Sequence, residues 1–112
     1  MTTEAISEEI AHPKREEIEL AAVLHALSDP IRLKIVAALA NGDEALSCGS
    51  FDVPVTKSTC THHFKVLREA GVIRQRQEGT ARLNTLRRDD LEARFPGLLA
   101  SILEAAASAP PG

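Results

Sequence analysis

Tryptophan and tyrosine are absent from the 112 residues, and the three aromatic side chains, Phe51, Phe64 and Phe95, are all phenylalanine. Packing therefore falls to Leu, Ile, Val and Ala, which favours helices over a large sheet. Only two cysteines occur, Cys48 and Cys60, which fits reduced thiols better than a disulfide framework. No apolar run approaches the roughly 20 residues that cross a bilayer, so no membrane partner is expected. The first residues, "MTTEAISEEIAHPKREE", carry neither the positive start nor the apolar stretch of a secretion signal, and a soluble, cytoplasmic protein is expected. A glycine-rich phosphate loop, a nucleophile–base pair at a recognisable spacing and a cofactor motif are all missing, which argues against an enzyme and against a required cofactor. The length suits one compact domain.

Net positive charge is lacking too: the formal charge is −3. Its distribution matters more than its sum. From Lys57 to Arg88 there are eight cations against two anions, a local +6 that leaves −9 for the remainder. A basic block within an acidic chain draws polyanions to one surface and repels them from the rest.

Residues 1–12 have no clear hydrophobic period and are expected to form a flexible arm, frayed or weakly helical, ahead of a domain over residues 13–107 and a disordered tail at 108–112. "KREEIELAAVLHALS" predicts a helix from Lys14 with Ile18, Ala21, Ala22 and Leu24 on one stripe and Glu16 and Glu17 in the first turn. "SDPIRLKIVAALANG" predicts a second, capped by Asp29, with Pro30 at its first position and Asn41-Gly42 at its end. Its core face is Ile31, Ile35 and Leu39, flanked by Val36 and Ala38. "DEALSCGSFDVPV" allows at most a short helix near Glu44 to Phe51. Thr56 then caps a helix running to Ala70, which Gly71 ends. "VIRQRQEGTARLNTL" reads as a hairpin around Glu78-Gly79-Thr80. The last helical segment takes Asp89 as its cap and is bent or restarted at Pro96.

The stretch "KSTCTHHFKVLREAG", residues 57–71, separates by face. At about 100° per residue, Cys60, Phe64 and Leu67 share the buried side, while Ser58, Thr61, His62 and Lys65 project from the other. His63 lies between them, at the edge of the core, and Arg68 lies near the exposed side. Hydroxyls, an imidazole and an ammonium on one face can bond base edges and phosphates. The candidate DNA-contact set is Thr56, Lys57, Ser58, Thr59, Thr61, His62, Lys65 and Arg68, joined by Arg74, Arg76, Gln77, Thr80 and Arg82 on the hairpin.

Three stretches resemble the ArsR-type bacterial winged-helix repressors. "ALSDPIRLKIVAALANG" is similar to the family's second-helix motif, "STCTHHFKVLREAGVI" to its recognition helix, and "RQRQEGTARLNTL" to its wing, together covering residues 26–86. The resemblance implies a mainly α-helical winged helix-turn-helix fold of about five helices with a small β-hairpin wing. It also implies a homodimer on a pseudo-palindromic double-stranded DNA operator, with one recognition helix per major groove. The first and last helices would pack across the two-fold axis, through Ile18 and Ala22 and through the apolar stripe Leu98, Leu99, Ile102, Leu103 and Ala106. The plainer reading is that this stripe completes the monomer's own core.

Relatives of that family that bind arsenite or soft metals do so through paired cysteines before the recognition helix, where Cys48 here stands alone. Others bind zinc, nickel or cobalt through Asp and His on the final helix, where this chain has no His. The looser ligand candidates are His12, His25, Cys48, Cys60 and His63, for a nickel or zinc effector. Three of them (Cys48, Cys60 and His63) fall short of the four a structural zinc site takes. Cys60 reads more plainly as a small core residue. Two alternatives to a plain repressor stay open: a metal-responsive one, and a winged-helix protein-interaction module that does not bind DNA.

Overall fold

A computed structural model describes residues 7–41, 57–79 and 81–108. The helix α2, Pro30–Ala40, begins and ends where its sequence demands. Asp29 Oδ2 accepts from the N–H groups of Ile31 (2.9 Å) and Arg32 (3.0 Å), and Pro30 occupies the position whose N–H would have no partner. Asn41 closes the helix by donating to the carbonyls of Ala37 and Ala38. Ile35, Val36 and Leu39 are buried, as the periodicity requires.

The first helix does not start at Lys14. A single 3-10 turn, Arg15–Glu17, is followed by two extended residues, Ile18 (ψ 124°) and Glu19 (ψ 138°), and α1 spans Leu20–Leu27. The break restarts the helical phase. Val23, Ala26 and Leu27 therefore face inward, whereas Ala21 and Leu24 of the expected stripe are exposed. Ile18 is buried by a separate route, from an extended segment that lays its side chain beneath Gly71.

The helix α3, Lys57–Ala70, ends in a left-handed glycine, Gly71 (φ 89°). The N–H groups of Gly71 and Val72 donate to the carbonyls of Arg68 and Leu67, both at 3.0 Å, closing the helix with the paired bonds of a Schellman turn. That turn feeds the antiparallel hairpin of β2 (Ile73–Glu78) and β3 (Ala81–Leu86), with Ile73 opposite Leu86 and Glu78 opposite Ala81. Gly79 supplies the positive φ (59°) that a two-residue hairpin loop needs.

A third strand corrects the expectation of a frayed or weakly helical arm. Ser7–Glu9 forms β1 and pairs antiparallel with β2, Ser7 opposite Glu78 and Glu9 opposite Arg76. The Ile10 N–H extends the ladder to the Gln75 carbonyl at 2.9 Å. The strand order is β1-β2-β3, so the hairpin is an edge ribbon on one side only.

Pro96 divides the last helical segment into α4, Arg88–Arg94, and α5, Leu98–Ser108, with Gly97 at φ 81° between them. Asp89 lies inside α4 rather than at its cap, a position that Arg87 takes. One core joins these parts. Phe64, Leu67 and Cys60 of α3 meet Val23 and Ala26 of α1, Ile35 and Leu39 of α2, Ile73 of β2, and Leu91 and Leu99 beyond. Each fully buried Ile or Leu contributes about 1.5–3 kcal/mol to holding α3 in place. The described residues thus hold five α-helices and an antiparallel hairpin, mainly helical, in a winged helix-turn-helix arrangement. None of these helices is long and apolar enough to cross a membrane.

Candidate nucleic-acid interface

The faces of α3 divide as the spacing predicts. Cys60, Phe64 and Leu67 are buried, and Thr59, Thr61, His62 and Lys65 are exposed. Thr56 and Thr80 lie outside the described residues, as do the side chains of Lys57, Ser58 and Arg82. The adjacent histidines separate. His62 points outward, while His63 is only 8% exposed and its Nδ1 lies 3.1 Å from Nη1 of the equally buried Arg32. A guanidinium can only donate, so Nδ1 accepts and the ring proton sits on Nε2. Arg32 is fixed from behind by donating to the Ala26 carbonyl at 2.7 Å and the His25 carbonyl at 3.4 Å. Burial holds the His63 pKa below the ordinary histidine value; Asp29 opposes the shift, and Arg32 and His62 reinforce it. Burial would raise the Asp29 carboxyl, but the Arg32 N–H, His63 and the Arg32 charge bring it net below the usual carboxylate value.

Two of the expected DNA contacts are committed elsewhere. Arg68 turns from the exposed side of α3 onto the wing and donates from Nη1 to Gln75 Oε1 at 2.6 Å. Gln75 in turn donates to Asn84 Oδ1 at 2.8 Å, so a buried polar chain ties the recognition helix to both strands of the hairpin. It engages the Arg68 guanidinium within the protein. Arg74 stands at the base of the wing, where Nη2 approaches Asp90 Oδ2 at 3.4 Å and Nε approaches His12 Nε2 at 3.5 Å. Arg76 shares its strand face, half-buried, and Gln77 donates to the Gly79 carbonyl at the tip.

Asp90 is the residue that sequence reasoning missed. It accepts from Arg15 Nε and Arg87 Nε, both at 2.8 Å, as well as from Arg74. Arg87 is buried and also donates to the Pro13 carbonyl at 2.7 Å. Burial would raise the Asp90 pKa, but the hydrogen bonds and charges of Arg15 and Arg87 hold it below the usual carboxylate value. The network joins the N-terminal segment, the wing base and α4.

Among the described residues the metal candidates do not assemble. His12 uses both ring nitrogens, Nδ1 to the Ile10 carbonyl at 2.9 Å and Nε2 toward Arg74, and His63 Nδ1 faces a guanidinium. Cys60 is buried within the core, His25 is exposed on α1, and Cys48 lies outside the described residues. Among the described residues no three His, Cys, Asp or Glu side chains stand together as a metal group, and neither Cys60 nor His63 is assigned as a ligand.

Ile18 is not available to a partner chain, because it is 1% exposed within the single chain. Leu99 is also buried, while Ala22, Leu98, Ile102, Leu103 and Ala106 are half-buried. Among the described residues, the large apolar groups left exposed are instead Leu20 (46%) and Leu24 (44%), one turn apart on α1. Their signal in the sequence was the four-residue spacing, which the misplaced helix start obscured.

Residues 27–76 match a family described as a helix-turn-helix domain. The chain is similar to YceK of Bacillus subtilis (strain 168), named an uncharacterized HTH-type transcriptional regulator. The two are 36% identical over 84 residues, covering 73% of this chain and 84% of YceK. It is also similar to MJ1325 of Methanocaldococcus jannaschii, which bears the same description, at 36% identity over 67 residues, 58% of this chain and 75% of the relative.

Proposed function

The chain belongs to the HTH-type transcriptional regulators, and on that premise we propose that it is a homodimeric repressor of the ArsR type, acting on a pseudo-palindromic operator in the cytoplasm. The observation that carries this reading is the division of α3. A buried Cys60–Phe64–Leu67 side seats the helix, and Thr59, Thr61, His62 and Lys65 are exposed on the other. A helix laid in a major groove is built this way, with short hydroxyls and an imidazole for base edges and an ammonium for phosphate. The proposed contact set also takes in Arg76 and Gln77 on the wing, together with Thr56, Lys57, Ser58, Thr80 and Arg82. Arg68 and Arg74 support it from behind. Dimerisation through Leu20, Leu24 and Ala22 of α1 and the outer side of α5 (Leu98, Ile102, Leu103 and Ala106) would cover the exposed leucines and pair two recognition helices.

The test is fluorescence anisotropy of the reduced protein on DNA from just upstream of its own gene. Lys65→Ala and Arg82→Ala are each expected to weaken binding several-fold. Each should also lower the slope of log affinity against log salt by about two per dimer, one phosphate per protomer. His62→Ala should relax discrimination between operator and scrambled DNA, at about 1–3 kcal/mol for a lost base contact. Wild-type salt slopes in both cation variants would put the contact surface elsewhere on the molecule, and salt-independent behaviour of the wild type would favour a protein-binding module.

A further inference from the structure

The hydrogen bond between Arg32 and His63 joins the two helices whose relative angle decides what α3 can reach. Arg32 belongs to α2 and is anchored to the end of α1 through the Ala26 and His25 carbonyls. His63 belongs to α3 and is followed at once by Phe64, which is buried in the core. Its neighbour His62 is on the exposed face. A shift of His63 against Arg32 therefore carries His62, Thr59 and Thr61 with it.

The pair has two mutually exclusive arrangements. With His63 neutral, Nδ1 accepts from Arg32 Nη1 at 3.1 Å. A proton taken from solvent onto Nδ1 abolishes that acceptor and sets two cations against each other in a buried site. The nearest alternative partner is Asp29 Oδ2, 3.9 Å from Nδ1. That oxygen already accepts from the Ile31 and Arg32 N–H groups at the start of α2, so the protonated ring competes with the helix cap. Among the described residues, the charged and titratable groups facing His63 are Asp29 at the cap of α2, Arg32 within it and His62 from its own helix; α1 contributes the carbonyls that hold Arg32.

We propose that Arg32 and His63 are positioning residues for DNA reading, and that proton uptake by His63 breaks their hydrogen bond, unseats the recognition helix and weakens operator binding. This inference rests on the DNA-binding reading above. Its sign is distinctive. A proton gained on an exposed, DNA-facing group adds positive charge toward phosphates and tightens binding as pH falls, whereas the buried histidine acts in the opposite sense.

The experiment measures operator affinity by anisotropy from pH 7.5 to pH 5.5 for the full chain, for His63→Asn and for His63→Leu. The asparagine amide oxygen can replace Nδ1 as an acceptor and does not titrate. The wild type is expected to lose about tenfold or more in affinity, tenfold being the effect of a single proton per dimer coupled to seating over one pH unit. His63→Asn should lose less than about twofold over the same range. His63→Leu, which leaves Arg32 without its acceptor, should bind weakly at every pH. An equal pH-dependent loss in His63→Asn, or none in the wild type, overturns the proposal. Nitrogen-15 NMR of the wild-type imidazoles without DNA keeps the test independent of variant folding. Protonation of His63 should shift α3 amides from Thr59 to Phe64 together, and amides that stay in place as His63 protonates overturn it. Absence of DNA binding at pH 7.5 would overturn the DNA-binding reading and the role assigned to the pair in DNA reading; the NMR titration would still show whether His63 protonation moves α3.

Discussion

Gly71→Ala is expected to remove about 4 kcal/mol of folding stability, from two costs that act together at one residue. The first is conformational: Gly71 has φ 89°, and a residue with a side chain held there loses about 1–3 kcal/mol. The second is steric. A Cβ at position 71 would lie 2.6 Å from Ile18 Cγ1 and 3.0 Å from Cδ1. Ile18 is itself enclosed by the core, so it cannot swing into solvent to relieve the contact. Overpacking of that kind costs about 1–3 kcal/mol. A domain of this size is stable by about 5–15 kcal/mol in all, so the variant approaches the limit of folding.

Gly79→Ala separates the two costs. Gly79 also has positive φ, 59°, but a Cβ there meets nothing within 4 Å. Only the backbone term remains, about 1–2 kcal/mol. Urea unfolding of the two variants should therefore give midpoints well apart. A loss at position 71 no greater than at position 79 would mean that Ile18 yields freely, and the close packing of this turn would carry no stability. Because Gly71 joins α3 to the hairpin, any protein that survives the substitution should also bind DNA less tightly.

The Gly71 turn was legible in the sequence because its cause is local: a helix that must reverse at Ala70 needs a residue tolerant of positive φ. The same holds for Asp29 and Pro30 at the start of α2, and for the burial of Cys60, Phe64 and Leu67. What escaped was decided by distant partners. The break at Ile18–Glu19 has no helix-breaking residue. It exists because Ile18 fills the space under Gly71 and because its carbonyl accepts from Arg94 Nε at 3.2 Å, from 76 positions along the chain. Arg68 sits at a helical angle that faces outward, yet its long side chain folds back to Gln75. The strand β1 reads "SEE", with no apolar alternation, and forms on backbone pairing with the open edge of β2. Asp89 and Asp90 are indistinguishable by composition. Arg15, Arg74 and Arg87, from three separate segments, single out the second.

Asp90→Ala should expose how far that network reaches. Removing the carboxylate leaves the buried Arg87 guanidinium with the Pro13 carbonyl and no opposite charge among its hydrogen-bond partners. An uncompensated buried charge of this kind costs about 3–5 kcal/mol. Part of the cost is recoverable here because Arg15 and Arg74 are half-exposed and can turn to water, so about 3 kcal/mol at neutral pH is the expected loss. The dependence on pH has a defined sign. The folded-state pKa of Asp90 lies below its ordinary value of 3.8. Its contribution is therefore fully present above the unfolded value and is lost as pH falls through the folded one. Wild type and Asp90→Ala should differ most near pH 7 and converge as pH falls through the folded-state pKa, below 3.8. The loss should be spatially specific as well. Arg15 and Arg87 tie the segment after β1 to α4, so amide exchange at Ile10 should rise more than at Ile35 in α2. A cost under about 1 kcal/mol, or a difference that stays constant down to acid pH, would mean that water satisfies the three arginines and that N-terminal strand pairing holds without them.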